Sequence, residues 1–89
     1  MSYVIVWSPL ALEDLRSIQG YIATDSPRSA LRVAAELEML AGNLSEMPGR
    51  GRLVSPDIRE LVAGRYLLRY RIDGEAVIIV RLTHSAQSR

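Results

Sequence analysis

The sequence predicts a small α+β domain built from an N-terminal strand, an αα-hairpin and a three-stranded antiparallel meander. Apolar residues recur at helical spacing from about residue 9 to residue 44 and alternate with period two after residue 58. The change falls across a stretch broken by Pro48, Gly49 and Gly51. With 89 residues the chain is expected to form one domain, 1–89, around one core.

YVIVW at 3–7 is dense in β-formers and is ended by Ser8-Pro9. The same pair starts a helix, because serine accepts a hydrogen bond from an orphan N–H of the first turn and proline there forfeits no helical hydrogen bond. Ala11, Leu15, Ile18 and Ile22 follow at helical spacing, widened by Leu12 and Tyr21, so a first helix spans about 9–23. Ser26-Pro27 repeats the punctuation. Ala30, Val33, Ala34, Leu37, Leu40, Ala41 and Leu44 then trace a second stripe to about residue 44. So short a joint makes the helices antiparallel neighbours with their stripes facing one side. Residues 45–56 read as a loop carrying Arg50 and Arg52 in a flexible, basic GRGR.

Strands are expected at 58–63, 65–72 and 76–83, separated by Ala63-Gly64 and by the stronger turn signal Asp73-Gly74. In the second hairpin Tyr66, Leu68, Tyr70 and Ile72 form one apolar set, and Ala76, Ile78, Val80 and Leu82 form another. An odd loop, with Gly74 in a left-handed bulge, would bring the two sets to one side. The other side then carries Arg65, Leu67, Arg69, Arg71, Val77, Ile79, Arg81 and Thr83. The first side packs on the helices. The second is too charged for a core and too apolar for a plain solvated face, and reads as a binding surface. Pairing with Glu60, Asp73 or Glu75 is expected to occupy one or two of its arginines.

Composition narrows the chemistry. There is no cysteine, so disulfides and thiolate chemistry are excluded, and with a single histidine, His84, a structural zinc site is not expected. Apolar runs are too short for a membrane span and no signal peptide is visible, which makes a cytoplasmic protein the expectation. The formal charge is +1, low for a strongly electrostatic nucleic-acid binder. All eleven basic residues are arginine, a bias that a G+C-rich genome alone would produce, so their clustering carries more information than their number. No nucleophile elbow, phosphate-binding loop or dinucleotide fingerprint is present. His84 near the end of the last strand has the side chain for proton transfer, although capping a carbonyl or packing on its neighbours is the simpler role.

The order of elements, together with WSPLALEDLRSIQGYI at 7–22, MPGRGR at 47–52, RELVAGRYLLRYRIDG at 59–74 and VIIVRLTH at 77–84, resembles the RelE/ParE toxins of bacterial type II toxin-antitoxin operons. The likeness covers nearly the whole chain and is greatest to the ParE branch. In the RelE-like branch, which cuts mRNA in the ribosomal A site, an arginine typically stands where this chain has Leu67. Further basic residues and a C-terminal tyrosine usually complete that site. Here the C-terminal region is THSAQSR and no tyrosine follows Tyr70.

The resemblance therefore implies a ParE-like toxin that inhibits DNA gyrase by binding, with no catalytic residue, cofactor or metal. Its antitoxin would be ParD-like, laying an amphipathic helix and an extended stretch over the hairpin and sheet, and operator DNA would be reached only through that antitoxin. The alternative is a RelE-like ribosome-dependent mRNA endonuclease using the arginine face and His84. A third reading is an inactive relative that serves only with its antitoxin at the operator. The candidate antitoxin- or target-binding residues are Arg65, Leu67, Arg69, Arg71, Arg81 and His84. The role of the C-terminal SAQSR stays open.

Overall fold

A computed structural model of the chain describes residues 2–85. The C-terminal stretch 86–89, which holds most of SAQSR, lies outside the described residues. Strand β1 (Val4–Trp7) leads into helices α1 (Pro9–Ala23) and α2 (Pro27–Asn43), followed by strands β2 (Arg52–Ser55), β3 (Ile58–Ala63), β4 (Tyr66–Asp73) and β5 (Ala76–His84). The five strands form one sheet in the order β1-β5-β4-β3-β2, with β1 parallel to β5 and the other neighbours antiparallel.

Both helix starts are made as the sequence predicts. Ser8 Oγ accepts from the Ala11 N–H at 3.0 Å and Ser26 Oγ from the Ser29 N–H at 3.1 Å, each with proline next in the chain. The helices lie on one side of the sheet. Ala11 and Leu15 of α1 meet Ala34, Leu37 and Ala41 of α2 over Leu68, Tyr70, Val77, Ile79 and Leu82 of the sheet. Alanines at the contact let the helix backbones come close, and each large side chain buried there contributes about 1.5–3 kcal/mol.

The meander has four strands, where the sequence predicted three. Strand β2 lies in the stretch read as loop, at the sheet edge, with all four residues exposed. An edge strand with no buried face leaves no period-two pattern to read.

The second hairpin also departs from expectation. Asp73 pairs with Ala76, so the loop is the two residues Gly74-Glu75, and Val77 and Ile79 face the core. Ala76 and Ile78 therefore face the other way. The odd residue that the apolar pattern demanded exists, but it is Val80: Tyr70 pairs with Ile79 and Arg69 with Arg81, leaving Val80 as a bulge that returns Leu82 to the core. The bulge falls just past the end of the β1 pairing. There Ser8 donates its N–H to the Ile79 carbonyl (3.0 Å) and its hydroxyl to the Val80 carbonyl (3.2 Å).

Both hairpins turn on glycine first, Gly64 at φ 63° and Gly74 at φ 59°, followed by a residue with negative φ, the sign pattern of a type II′ turn. Arg65 accordingly stands in the β3–β4 turn and not in the strand that the sequence assigned to it. Among the described residues no helix is long and apolar enough to cross a membrane.

Candidate binding site

Register brings four charged residues into one line across the sheet: Arg52 of β2, Glu60 of β3, Arg69 of β4 and Arg81 of β5. Glu60 is buried in this line. It accepts from Arg69 Nε at 2.9 Å and lies 3.6 Å from Arg52 Nη2. A buried carboxylate is tolerated only with such partners.

Arg81 turns to α1, where Asp14 receives its fork, Nε to Oδ2 at 2.8 Å and Nη2 to Oδ1 at 3.2 Å. Asp14 Oδ2 also accepts the Leu82 N–H at 3.0 Å. Since β1 pairs only with Ala76 to Ile79, Asp14 supplies the acceptor that a neighbouring strand would have offered Leu82. The hydrogen bond that Arg81 donates to Asp14, and then the charge of that carboxylate, raise the Arg81 pKa above the ordinary arginine value. Arg71 reaches Asp73 at 3.3 Å on the surface, a pair of little energetic weight.

Carboxylates thus occupy Arg69, Arg71 and Arg81, three arginines where one or two were expected. Arg65 is exposed and makes no side-chain hydrogen bond or ion pair among the described residues. Leu67 is buried between the strands flanking it. His84 pairs in register with Tyr66, and the two rings meet edge to face with centroids 5.4 Å apart, the packing role that its position suggested.

The six predicted residues divide between two surfaces. A groove of about 1030 Å³ opens between the helical hairpin and the end of the sheet at the β3–β4 turn, and Arg65, Arg81 and His84 line it with Asp14, Tyr21 and Tyr66. Leu67, Arg69 and Arg71 do not line it. Asp14 sits in the early turns of α1, and nothing local marks a residue whose partners lie 67 and 68 positions away. Tyr21 was read as part of the apolar stripe, yet it is 78% exposed at the groove. A large exposed aromatic beside a groove is a contact residue in waiting, and only the tertiary arrangement separates it from the core stripe.

The arrangement offers a concave, partly apolar channel with an uncommitted cation at one end, suited to an extended or helical peptide. Comparison with known proteins agrees with the architecture. Over 84 residues the chain is 43% identical to Toxin RelE2 of Caulobacter vibrioides, covering 93% of this chain and 96% of that protein. Toxin RelE1 of the same organism is 31% identical over 93 residues and is covered in full. Among solved structures, the chromosomal ParDE toxin-antitoxin system from P. aeruginosa superposes with a TM-score of 0.82 at 22% identity, over 93% of this chain and 96% of that one. The toxin-antitoxin complex RelBE2 from Mycobacterium tuberculosis gives 0.70 at 29% identity, over 94% and 99%. Residues 5–89 match the family described as the ParE toxin of the type II toxin-antitoxin system parDE, and the chain belongs to that family.

Proposed function

We propose that this toxin inhibits DNA gyrase by binding and is neutralised by a ParD-like antitoxin whose C-terminal segment occupies the groove between the helical hairpin and the sheet. The observation that carries the binding mechanism is the state of the arginines. A nuclease needs cations free to meet the charge that develops on a transferring phosphoryl group, whereas Arg69, Arg71 and Arg81 already hold Glu60, Asp73 and Asp14. Leu67 in the middle of β4 adds no charge. Operator DNA is reached through the antitoxin, and the toxin acts in the cytoplasm without a cofactor.

The antitoxin assignment is supported by the groove's mixed lining and by structural neighbours that are themselves toxin-antitoxin complexes. Arg65 is the best placed residue to meet an acidic side chain of that segment, with Arg81 and His84 beside it. Arg69 and Arg71 on the far face belong to the contact if the segment wraps round the sheet. Charge reversal of those two tests this: weakened binding in a titration keeps that face in the interface, and unchanged affinity removes it.

A second reading has its own support. Arg65, Tyr66, Arg81 and His84 share one groove, and the relatives named above are RelE toxins, so a ribosome-dependent mRNA endonuclease is the competing activity. Purified toxin tested in parallel on plasmid supercoiling and on translated mRNA separates the two. Stalled supercoiling with intact mRNA is the expected result, and mRNA cleavage abolished by His84→Ala would transfer the assignment to the nuclease.

A further inference from the structure

The GRGR stretch, flexible by sequence, is held firmly at its backbone. Tyr70 is fully buried, and its hydroxyl accepts the Gly51 N–H at 2.8 Å and donates to the Pro48 carbonyl at 2.7 Å. Arg59, its register partner on β3, donates to the carbonyls of Gly51 at 2.7 Å and Gly49 at 3.2 Å. The Arg50 N–H returns to the Met47 carbonyl at 3.2 Å. Gly51 is pressed so closely between Tyr70 and the Glu60 carbonyl that an added Cβ would come within 2.8 Å of the ring and 2.9 Å of the backbone. A buried hydroxyl and a guanidinium directed at the backbone of a surface loop fix that loop in one shape, which lowers the ordering cost of binding.

The fixed loop carries Arg50 outward, exposed and without a side-chain partner among the described residues. Met47 on one side is 62% exposed, and Leu53 on the other is 56% exposed. Arg52 is set apart, since alternation along β2 puts its side chain on the opposite face from Leu53, 3.6 Å from Glu60. None of these residues lines the groove assigned to the antitoxin. An uncommitted cation beside exposed apolar side chains fits an acidic protein surface with an apolar centre. A phosphate backbone would leave Met47 and Leu53 in water, and the chain's net charge of +1 gives little general attraction to nucleic acid.

We propose that residues 47–53 form a preorganised docking surface for an acidic patch on the protein that the toxin inhibits, with Arg50 as the charged anchor and Met47 and Leu53 as apolar ones. The inference rests on reading the chain as a toxin that acts by binding a protein. It assigns target and antitoxin to separate surfaces.

The test uses full-length Arg50→Glu and Met47→Asp toxins, each first checked for an unchanged melting curve. Inhibition of supercoiling by purified gyrase on relaxed plasmid and affinity for the purified antitoxin are then measured side by side. Each variant is expected to lose about tenfold or more in inhibition, as for an interface anchor, with antitoxin affinity held within about twofold of the wild type. Unchanged inhibition overturns the proposal. So does an equal loss of antitoxin affinity, which would make the loop an antitoxin contact, and so does binding to single-stranded RNA that Arg50→Glu abolishes. If wild-type toxin leaves supercoiling untouched, the gyrase reading fails by itself, and growth arrest on expression becomes the readout. Arrest relieved by Arg50→Glu then supports the loop assignment, and arrest unaltered by it overturns the assignment.

Discussion

Replacing Tyr70 by phenylalanine keeps the buried ring and removes only the oxygen that ties Pro48 and Gly51 together. Leaving a buried hydrogen-bonding group unpaired costs about 1–3 kcal/mol. A chain of this size should then melt roughly 5–20 °C lower, a shift read directly by circular dichroism, and an unchanged melting point would mean that the loop is not fastened through this hydroxyl. Asp14 gives a second test. Asp14→Ala strips the acceptor from both Arg81 and the Leu82 N–H and is expected to cost about 1–3 kcal/mol, while Asp14→Asn keeps an oxygen for the N–H and should cost less. Equal losses in the two variants would assign the effect to the ion pair alone. The raised pKa of Arg81 has a defined sign: its contribution is complete below the unfolded value and is lost only as pH rises through the higher folded value. This pair's arginine therefore adds no pH dependence near neutrality. Neither of these long-range contacts can be read from sequence, because Asp14 and Tyr70 look locally like a helix-start acid and a core aromatic.

Helices were the most readable elements. Each begins at a serine-proline pair whose cap geometry acts within one turn, so local chemistry sets the boundary and the α1 limits agree with the structure. Strands depend on partners, and there local reading failed in two instructive places. Strand β2 has no buried face to impose alternation. In β5 the apolar pattern demanded one extra residue but gave no way to choose between the turn at Gly74 and the bulge at Val80, which is selected by Ser8 arriving from another part of the chain. Deleting Val80 should close the ladder and leave Val77, Ile79 and Leu82 on the core side by plain alternation, removing the carbonyl that accepts the Ser8 hydroxyl. The expected outcome is one cooperative transition at a lower melting point, and loss of cooperative unfolding would contradict this account of the bulge. Gly74→Ala is a milder change, expected to cost about 1–2 kcal/mol because an L-residue resists the positive φ of the turn.

Across the whole molecule, the helices cover one face of the sheet and leave three features outside the core: the groove at the β3–β4 end, the arginine face, and the fixed loop beside β2. The sequence marked the arginine face as a binding surface from strand alternation and named Glu60 and Asp73 as partners for some of its arginines, but it could not see that Asp14 of α1 takes Arg81 as well. The groove was invisible at that level, since it is formed by residues from both helices and the far ends of β3, β4 and β5. Arg65→Glu should weaken antitoxin binding by about tenfold, the loss of one charged contact in a peptide groove, while leaving the melting point of the free toxin unchanged. Calorimetric titration measures the first and circular dichroism the second. The most direct measurement of the central claim is gyrase-catalysed supercoiling of relaxed plasmid in the presence of purified toxin, repeated with its antitoxin added in increasing amounts. Inhibition that the antitoxin relieves stoichiometrically is the predicted result. Normal supercoiling in the presence of toxin shown to be folded would contradict it.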